Sequence, residues 1–388
     1  MEASTEKIPE IGIGLLGYEF MGKAHTNAYK KMPYVFWPPP RIPELVAICG
    51  RSQSKVSEAA RRYGYSTYYT DWRAMIKDNR VQLFDNSAPN NIHRDPCILA
   101  AEAGKHLLCE KPIGRDAQDG WEMLKAARQA GVKHMVAFNY RFVPAVALAK
   151  KLIEERTFGT IYHFEAKYYN DWIMDPNYPL IWRLDKEIAG SGALGDIGSH
   201  LIDLAHFLVG GIRSVSSATK TFVGERPLVD NPSVKKKVEV DDAFEAILEF
   251  ENGAIGTLSS SRFCAGRRNY LEIEIYGSKG SLVFDSQKMN FLRLHIGVGS
   301  EDSKEPSFRD VLVTEQYHPF MGSWFPPGFS IGWEDTYTYE VYYLIDCIAK
   351  DKDVSTFGAT FEDGYRCAVV CDAILRSAQE GRKISITY

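Results

Sequence analysis

The 388-residue sequence has no large excess of one charge, no long apolar run and no paired-cysteine motif. Its 46 basic and 50 acidic residues leave a net charge of −4, which argues against nucleic acid or an anionic membrane as the main partner. No apolar run reaches the length of a membrane span, and no signal-peptide pattern is visible. The seven cysteines show no Cys-x-x-Cys spacing, so we expect reduced, structural thiols in a cytoplasmic protein.

The first half of the chain alternates short apolar runs with amphipathic stretches. Strands are predicted for the apolar runs at 11–16, 45–49, 81–87, 106–109 and 133–138. Helices are predicted between them, among others at about 54–63 and 96–103. This alternation is typical of an α/β protein with a doubly wound parallel sheet. The chain is also long enough for a second domain with its own core.

A glycine-bearing turn follows the first predicted strand. Residues 12–17 match the letters of a dinucleotide fingerprint, but the first two glycines of that match lie inside the strand. We therefore start the functional register at Gly17, with Gly22 allowing the strand and the helix to pack closely. Glu19 then replaces the glycine that normally approaches the pyrophosphate, so its side chain must turn away. The dinucleotide is expected at the helix N-terminus, against Gly17, Glu19, Phe20 and Met21.

The end of the second strand lacks the acidic residue that usually binds the adenosine ribose. Arg51 and Ser52 stand there instead. Together they suit the 2′-phosphate of NADP, whereas an arginine that stacks on adenine suits NAD equally well. Both residues are predicted cofactor contacts, and the choice between NAD and NADP stays open.

Two further loops follow predicted strands, at 86–93 and 110–112. Ligands bind at the carboxyl ends of the strands in this type of sheet. Lys111 in the second loop can meet both the nicotinamide side of a cofactor and a substrate hydroxyl. The cofactor contacts predicted in these loops are Ser87, Ala88, Pro89, Asn90, His93, Glu110 and Lys111.

A glycine-rich segment at 190–203 carries a carboxylate and an imidazole four residues apart. Asp196 and His200 lie at this spacing where a helix begins, so both point to one face of one turn. An imidazole oriented by a carboxylate is suited to proton transfer with a substrate hydroxyl. No cluster of metal ligands accompanies the pair, so we expect no metal site.

Several segments in a fixed order resemble the Gfo/Idh/MocA family of sugar and polyol oxidoreductases. The resemblance covers nearly the whole chain and lies in 17–25, Ser87-Ala-Pro-Asn90-x-x-His93, 103–112 with Glu110-Lys111-Pro112, Phe138-Asn139-Tyr140-Arg141-Phe142, Trp182-Arg183 and 192–203. It implies a Rossmann domain (1–140), a substrate-binding and oligomerisation α/β domain with a large, open, mainly antiparallel sheet (141–360), and a C-terminal helix (361–388) that returns to the Rossmann domain. It also implies Lys111, Asp196 and His200 as catalytic residues, with Asn139 and Arg141 near the cofactor.

Two aromatic segments, 168–179 and 317–334, mix tryptophan and tyrosine with amides, acids and histidine. Such mixtures suit sugar rings, and packing in the core explains any single aromatic equally well. Residues 324–328 and 37–41 resemble the levoglucosan dehydrogenase and glucoside 3-dehydrogenase branch of the family. The predicted substrate contacts are Lys111, Tyr140, Asp171, Trp172, Trp182, Arg183, Asp196, His200, His318 and Trp324.

The leading prediction is an NAD(P)-dependent dehydrogenase that oxidises a ring hydroxyl of a sugar or glycoside, at carbon 3 of a glucoside. One alternative is a glycoside 3-oxidase that keeps NAD bound, resets it with a 3-oxo-sugar and feeds a separate deglycosylating lyase. Others are an inositol dehydrogenase and a non-catalytic sugar or dinucleotide sensor, against which the intact Lys111, Asp196 and His200 argue. The open sheet is expected to join copies into a homo-oligomer.

Overall fold

The computed structural model describes residues 7–298 and 307–388. Its strands, in chain order, are β1 (Glu10–Leu16), β2 (Ile42–Cys49), β3 (Thr67–Tyr69), β4 (Leu83–Asn86), β5 (His106–Cys109), β6 (His134–Val136), β7 (Ile161–Tyr169), β8 (Ile212–Lys220), β9 (Glu225–Pro227), β10 (Lys235–Lys237), β11 (Ala243–Phe250), β12 (Ile255–Ser261), β13 (Tyr270–Gly277), β14 (Gly280–Asp285), β15 (Phe291–Ile296), β16 (Arg309–Leu312) and β17 (Ile384–Ser385). Its α-helices are α1 (Phe20–Val35), α2 (Gln53–Tyr63), α3 (Trp72–Ile76), α4 (Arg94–Glu102), α5 (Ala117–Ala130), α6 (Pro144–Glu154), α7 (Lys186–Ala189), α8 (Ser199–Leu208), α9 (Trp333–Ala349) and α10 (Phe361–Glu380). Within these described ranges, no helix is long and apolar enough to cross a membrane.

The first compact unit contains the described residues up to Ile113, together with Gln118–Phe142 and Ile331–Glu362. Its six strands are all parallel and are hydrogen-bonded in the order β3-β2-β1-β4-β5-β6. This is the strand order of a Rossmann sheet, so the predicted doubly wound parallel fold is confirmed. Strands buried on both faces need continuous apolar runs, which β1 has in Ile11–Leu16.

Helix α9 packs on α1 within this first unit. The rings of Phe20 and Trp333 stack with centroids 5.7 Å apart, and Lys31 forms an ion pair with Asp335. The stacked rings of Phe36 and Tyr342 extend the same contact. Residues 331–360, which were predicted to lie in the second domain, therefore belong to the first unit.

The second compact unit contains Gly114–Ala117, the described residues of 143–330, and Asp363–Tyr388. Its sheet has nine strands in the order β16-β15-β14-β13-β7-β12-β11-β8-β17. Only β7 and β12 pair in parallel, and the other neighbours in this sheet are antiparallel. The predicted large and mainly antiparallel sheet is confirmed. Its strands alternate buried and less buried residues, as in β11, because one face packs against the core.

The end of the chain packs on β8 in the second unit. The Ser217 N–H donates to Ser377 Oγ at 3.0 Å, and Ser217 Oγ donates to the Ile374 carbonyl at 2.6 Å. Strand β17 adds a further pairing along β8. These bonds join residues 363–388 to the second unit, and the return of the C-terminal segment 361–388 to the Rossmann domain stays a prediction.

The other face of the nine-stranded sheet carries polar side chains. Tyr169 and Ser259 share a hydroxyl hydrogen bond of 2.7 Å, and Ser259 Oγ donates to Glu245 at 2.5 Å. Lys167 and Glu272 form an ion pair next to them. Association of copies through this face stays a prediction, and it would bury these polar groups.

Candidate active-site residues in the two units

The turn after β1 has a backbone shape that suits a dinucleotide. Gly17 has φ = 99°, a left-handed conformation that favours glycine. A side chain at Gly22 would overlap the Gly17 carbonyl oxygen, so only glycine lets α1 start this close to the turn. The Glu19 side chain is exposed and makes no capping bond to α1. The free N–H groups of a helix start suit a pyrophosphate, and the contacts of Gly17, Glu19 and the two residues that follow stay predictions.

The loop after β2 presents the predicted adenosine contacts. A side chain at Gly50 would overlap the ring of Tyr18, which lies directly against this glycine. The Tyr63 hydroxyl donates to the Tyr18 carbonyl at 3.0 Å and so fixes the turn. Arg51 is exposed, and Ser52 immediately precedes α2. Contacts of Arg51 and Ser52 with a ribose or an adenine ring stay predictions.

The loop after β4 is anchored within the first unit. Ser87 Oγ donates to the carbonyls of Leu16 and Gly17 at 3.1 and 3.2 Å. His93 is fully buried, with Nδ1 at 2.9 Å from the Pro112 carbonyl and Nε2 at 2.8 Å from the Ala88 carbonyl. Both ring nitrogens of His93 thus face backbone carbonyls, and its predicted contact with the cofactor stays a prediction.

Glu110 and Lys111 follow β5 at the predicted place. The Glu110 side chain is buried, with Oε1 at 3.1 Å from His25 Nε2, and Oε2 accepts the Lys111 N–H at 3.0 Å. Burial acts to raise the pKa of Glu110, but His25 and the charge of Lys111 outweigh it and hold this pKa below its usual value. The Glu110 carboxylate is bonded within the protein, and the predicted contact of this residue with the cofactor stays a prediction.

A buried 3₁₀ turn at Asn139–Phe142 carries three further predicted residues. Asn139 Nδ2 donates to Thr336 Oγ1 at 2.9 Å, and Arg141 Nη1 lies 3.4 Å from the Phe357 carbonyl. Tyr140 is 3% exposed. The turn is thus joined to the 331–362 segment, and the contacts predicted for Asn139, Tyr140 and Arg141 with ligands stay predictions.

In the second unit, the Asp196–His200 segment begins with one turn of π-helix at Leu194–Gly198 and continues as α8. Such turns are frequent at functional sites. The Asp241 carboxylate caps the segment by accepting the N–H groups of Gly192 and Leu194 at 2.7 and 2.8 Å. A side chain at Gly192 would overlap the Asp241 carbonyl oxygen, so glycine is required for this close approach. The glycine at position 192 is therefore what allows Asp241 to cap the segment that carries Asp196 and His200.

Two arginines hold the Asp196 carboxylate. Arg183 Nε lies 3.7 Å from Oδ1, and Arg262 Nη1 lies 3.7 Å from Oδ2. Arg262 is fully buried and donates from Nη2 to the Asp241 carbonyl at 3.0 Å. Its guanidinium also lies 3.8 Å from Asp242. The two positive charges favour the charged carboxylate and fix its orientation. Arg183 was a predicted substrate contact, and Arg262 was not predicted.

His200 is 5% exposed and lies at the start of α8. Its ring centroid is 5.9 Å from that of Tyr168, whose hydroxyl donates to Asn269 Oδ1 at 2.5 Å. The Cys367 thiol donates to the carbonyl of Ser199, the preceding residue, at 3.4 Å. Tyr168 was not predicted as a site residue, and it limits the orientations open to the His200 ring.

The tryptophans predicted to contact substrate lie in two places in the second unit. The Arg183 guanidinium stacks on Trp182 at 4.2 Å, and Arg262 lies 5.8 Å from the Trp172 ring, so both tryptophans border the arginines that hold Asp196. Trp172 is partly buried and also packs against an apolar cluster of the core. Asp171 accepts the Gly266 N–H at 3.1 Å and pairs with Arg268 at 3.0 Å, which are structural contacts.

His318 and Trp324 lie on a loop at 314–330 with exposed aromatic side chains. His318 Nδ1 accepts the Glu315 N–H at 3.0 Å, and burial lowers the pKa of His318. Phe325 and Phe329 on the same loop are exposed. A sugar-binding role for this loop stays a prediction. Across residues 7–298 and 307–388, no group of three or more His, Cys, Asp or Glu side chains is placed to hold a metal ion.

The chain belongs to the Gfo/Idh/MocA oxidoreductase family. Residues 11–138 match the model described as the oxidoreductase family NAD-binding Rossmann fold, and residues 146–283 match the model of the GFO/IDH/MocA C-terminal domain. The family resemblance noted in the motifs is thereby confirmed. The protein is an NAD-dependent oxidoreductase.

The chain is similar along nearly its whole length to a levoglucosan dehydrogenase, and over about half its length to a glucoside 3-dehydrogenase. Levoglucosan dehydrogenase from Pseudarthrobacter phenanthrenivorans is 41% identical over 380 residues, which cover 95% of this chain and 96% of the relative. A solved complex of levoglucosan dehydrogenase with NADH and levoglucosan has a TM-score of 0.93 and 41% identity, covering 97% of this chain and 99% of that one. D-glucoside 3-dehydrogenase from Escherichia coli is 28% identical over 225 residues, covering 56% of this chain and 62% of the relative.

Proposed function

We propose that this protein oxidises a ring hydroxyl of a glucoside with NAD, at carbon 3 of the sugar. The observation that carries the proposal is the similarity to levoglucosan dehydrogenase along the whole chain, at 41% identity. Levoglucosan is an internal glycoside of glucose. The similarity to levoglucosan dehydrogenase therefore supports a substrate whose anomeric centre is closed. The match to a glucoside 3-dehydrogenase supports the ring position.

The oxidation needs one hydride acceptor and one proton acceptor. NAD⁺, when bound at the Gly17 turn, supplies the hydride acceptor. The carbon–hydrogen bond of the carbinol breaks with its electron pair, and the hydroxyl oxygen keeps its bond to carbon as the carbonyl forms. The hydroxyl proton must leave in the same step or just before it. The protein's own residues have to receive that proton.

His200 is the proposed general base. Its imidazole is suited to accept a proton near neutral pH, and Tyr168 restricts its orientation. Asp196, held by Arg183 and Arg262, orients His200 or accepts a hydrogen bond from the sugar. Lys111 stabilises the developing alkoxide and can share the proton.

A spectrophotometric screen tests the proposal. Levoglucosan, methyl and aryl glucosides, free glucose and myo-inositol are each offered with NAD⁺ or NADP⁺, and the rise in absorbance of the reduced cofactor is followed. We expect glucosides to react with NAD⁺ in preference to myo-inositol. If myo-inositol is the best substrate, or if only NADP⁺ is reduced, the proposed substrate or cofactor is wrong.

The same purified protein separates a simple dehydrogenase from one that retains its cofactor. A simple dehydrogenase is expected to need added NAD⁺ for every turnover. Turnover of a glucoside with a 3-oxo-sugar in the absence of added NAD⁺ would contradict that expectation and favour a retained cofactor.

A further inference from the structure

A buried histidine in the first unit is clamped between two carboxylates. His25 is fully buried, with Nδ1 at 2.9 Å from Asp85 Oδ2 and Nε2 at 3.1 Å from Glu110 Oε1. The Tyr29 hydroxyl donates to the same Asp85 oxygen at 2.8 Å. Carboxylates only accept hydrogen bonds, so both ring nitrogens of His25 donate and the ring is an imidazolium. Burial opposes this charge, but the two carboxylates raise the pKa of His25 well above its usual value.

The clamp reaches Lys111 through one further bond. Glu110, held by His25 at one oxygen, accepts the Lys111 backbone N–H with the other at 3.0 Å. The charges also balance: two carboxylates face one imidazolium, and the positive charge of Lys111 acts on Glu110. The position of Lys111 is therefore coupled to His25 by both a hydrogen bond and a charge.

A second buried histidine holds the other side of the same loop. His93 Nδ1 lies 2.9 Å from the carbonyl of Pro112, the residue after Lys111, and Nε2 lies 2.8 Å from the Ala88 carbonyl. Burial lowers the pKa of His93. Both partners are acceptors, and a neutral ring donates to one of them at a time. Lys111 thus lies between two residues that are each anchored by a buried imidazole.

We infer that His25 and His93 are positioning residues for Lys111, which hold the Glu110–Pro112 segment from both sides without touching substrate or cofactor. The inference rests on the proposed role of Lys111 in catalysis. The polar and aromatic side chains that face His25 come from four different parts of the first unit. Asp85 is on β4, Tyr29 on α1, Glu110 after β5 and Tyr337 on α9, with a ring centroid 5.4 Å from that of His25.

The test compares His25→Gln and His93→Gln with a matched control, His106→Gln. His106 begins the strand that leads to Glu110, and its Nδ1 also accepts a backbone N–H, that of Lys133 at 3.1 Å. Four strand residues place it about 13 Å from Glu110 along the chain. The control therefore removes a backbone-holding histidine from the same strand without loosening the Lys111 segment.

The first measurement needs no substrate. Trace acetylation of the intact protein, read by mass spectrometry, compares Lys111 with the exposed Lys30. We expect His25→Gln and His93→Gln to change the acetylation rate of Lys111, relative to that of Lys30, by about fivefold or more. His25→Gln removes a charge near Glu110, and His93→Gln releases the backbone next to Lys111. His106→Gln should leave it unchanged. Equal changes in all three variants would overturn the inference, and so would an unchanged rate in the first two.

The second measurement is catalytic. His25→Gln and His93→Gln are expected to lower kcat about 10- to 100-fold through misplacement of Lys111, with the Kd for NADH changed by less than about threefold. An unchanged kcat would contradict the positioning role. If altered acetylation is found but no glucoside reacts, the proposed function fails while the inference stands.

A third measurement applies to the unsubstituted protein, so it remains informative even if the variants do not fold. Nitrogen NMR of isotope-labelled histidines distinguishes a doubly protonated ring from a neutral one. At pH 8, His25 is expected to show the doubly protonated pattern. A neutral His25 ring at that pH would overturn the clamp on which the inference depends.

Discussion

Replacement of Arg262 by glutamine tests how the protein holds the carboxylate of Asp196, which we propose to act in catalysis. Arg262 is fully buried and lies 3.7 Å from Asp196 and 3.8 Å from Asp242. At this distance and an effective dielectric constant of about 20, one such pair contributes about 4 kcal/mol before desolvation is counted. Loss of the guanidinium also leaves the buried Asp242 without this charge, which costs about 3 kcal/mol of unfolding free energy.

The effect on catalysis is separate from the effect on stability. Without Arg262, the Asp196 carboxylate loses one of its two arginine partners, and a carboxylate that moves by about 1 Å lowers the rate by up to about 100-fold. We therefore expect Arg262→Gln to lower kcat about 10- to 100-fold, while Arg262→Lys, which keeps the charge, loses less. The double variant Asp196→Asn with Arg262→Gln should lose little more kcat than Asp196→Asn alone.

Arg226 supplies the matched control. It is also fully buried in the second unit, but its guanidinium donates to the carbonyls of Ile173 and Asp175 at 2.6 and 2.8 Å. Arg226→Gln should destabilise the protein to a similar degree and leave kcat within about threefold. The assays are thermal unfolding and steady-state kinetics on the folded protein. A folded Arg262→Gln variant with normal kcat, or an equal loss of kcat in Arg226→Gln, would contradict the role of Arg262 in holding Asp196.

Three further predictions concern His200, the Gly192 turn and a buried carboxyl group. His200→Ala is expected to lose most turnover and keep NADH binding, measured by fluorescence titration, and loss of NADH binding with normal turnover would contradict its assignment as base. Gly192→Ala forces a side chain into the Asp241 carbonyl oxygen, so we expect it to destabilise the second unit by about 3 kcal/mol in thermal unfolding, and an unchanged melting temperature would argue against the close approach. Burial raises the pKa of Asp372, which accepts the Ala117 N–H, to about 6. The folded state therefore binds this proton more tightly than the unfolded state, and stability falls as the pH rises from about 4 to 6. Asp372→Asn should accordingly stabilise the protein by about 2 kcal/mol at pH 7.5 and by little at pH 4, and a variant that is less stable than the parent at pH 7.5 would refute this.

Much of the Rossmann sheet could be predicted because its strands are buried on both faces. Such strands appear as continuous apolar runs, and the run at 106–109 coincides with β5. Strand β3 was missed because it has only three residues, Thr67–Tyr69, none of them buried. The membership of α9 in the first unit was also missed, since the contacts of Trp333 and Asp335 with α1 join residues about 300 positions apart and leave no local pattern.

Some residues of the candidate site could be found from local sequence, and others could not. Asp196 and His200 could be found because their chemistry and their spacing lie within one helical turn. Arg262, which holds Asp196, comes from the end of β12 and has no motif around it. The family motifs included His25 and Glu110, but the bond between their side chains joins residues 85 positions apart. Only the folded chain brings such pairs together.

The most direct test of the proposed function is the fate of one hydrogen atom. A glucoside that carries deuterium only at carbon 3 is oxidised with NAD⁺, and the reduced cofactor is analysed by mass spectrometry. We expect the deuterium to appear in the nicotinamide ring and the sugar product to be the 3-oxo-glucoside. A cofactor reduced without deuterium, with the label still on the sugar, would contradict the proposed oxidation at carbon 3.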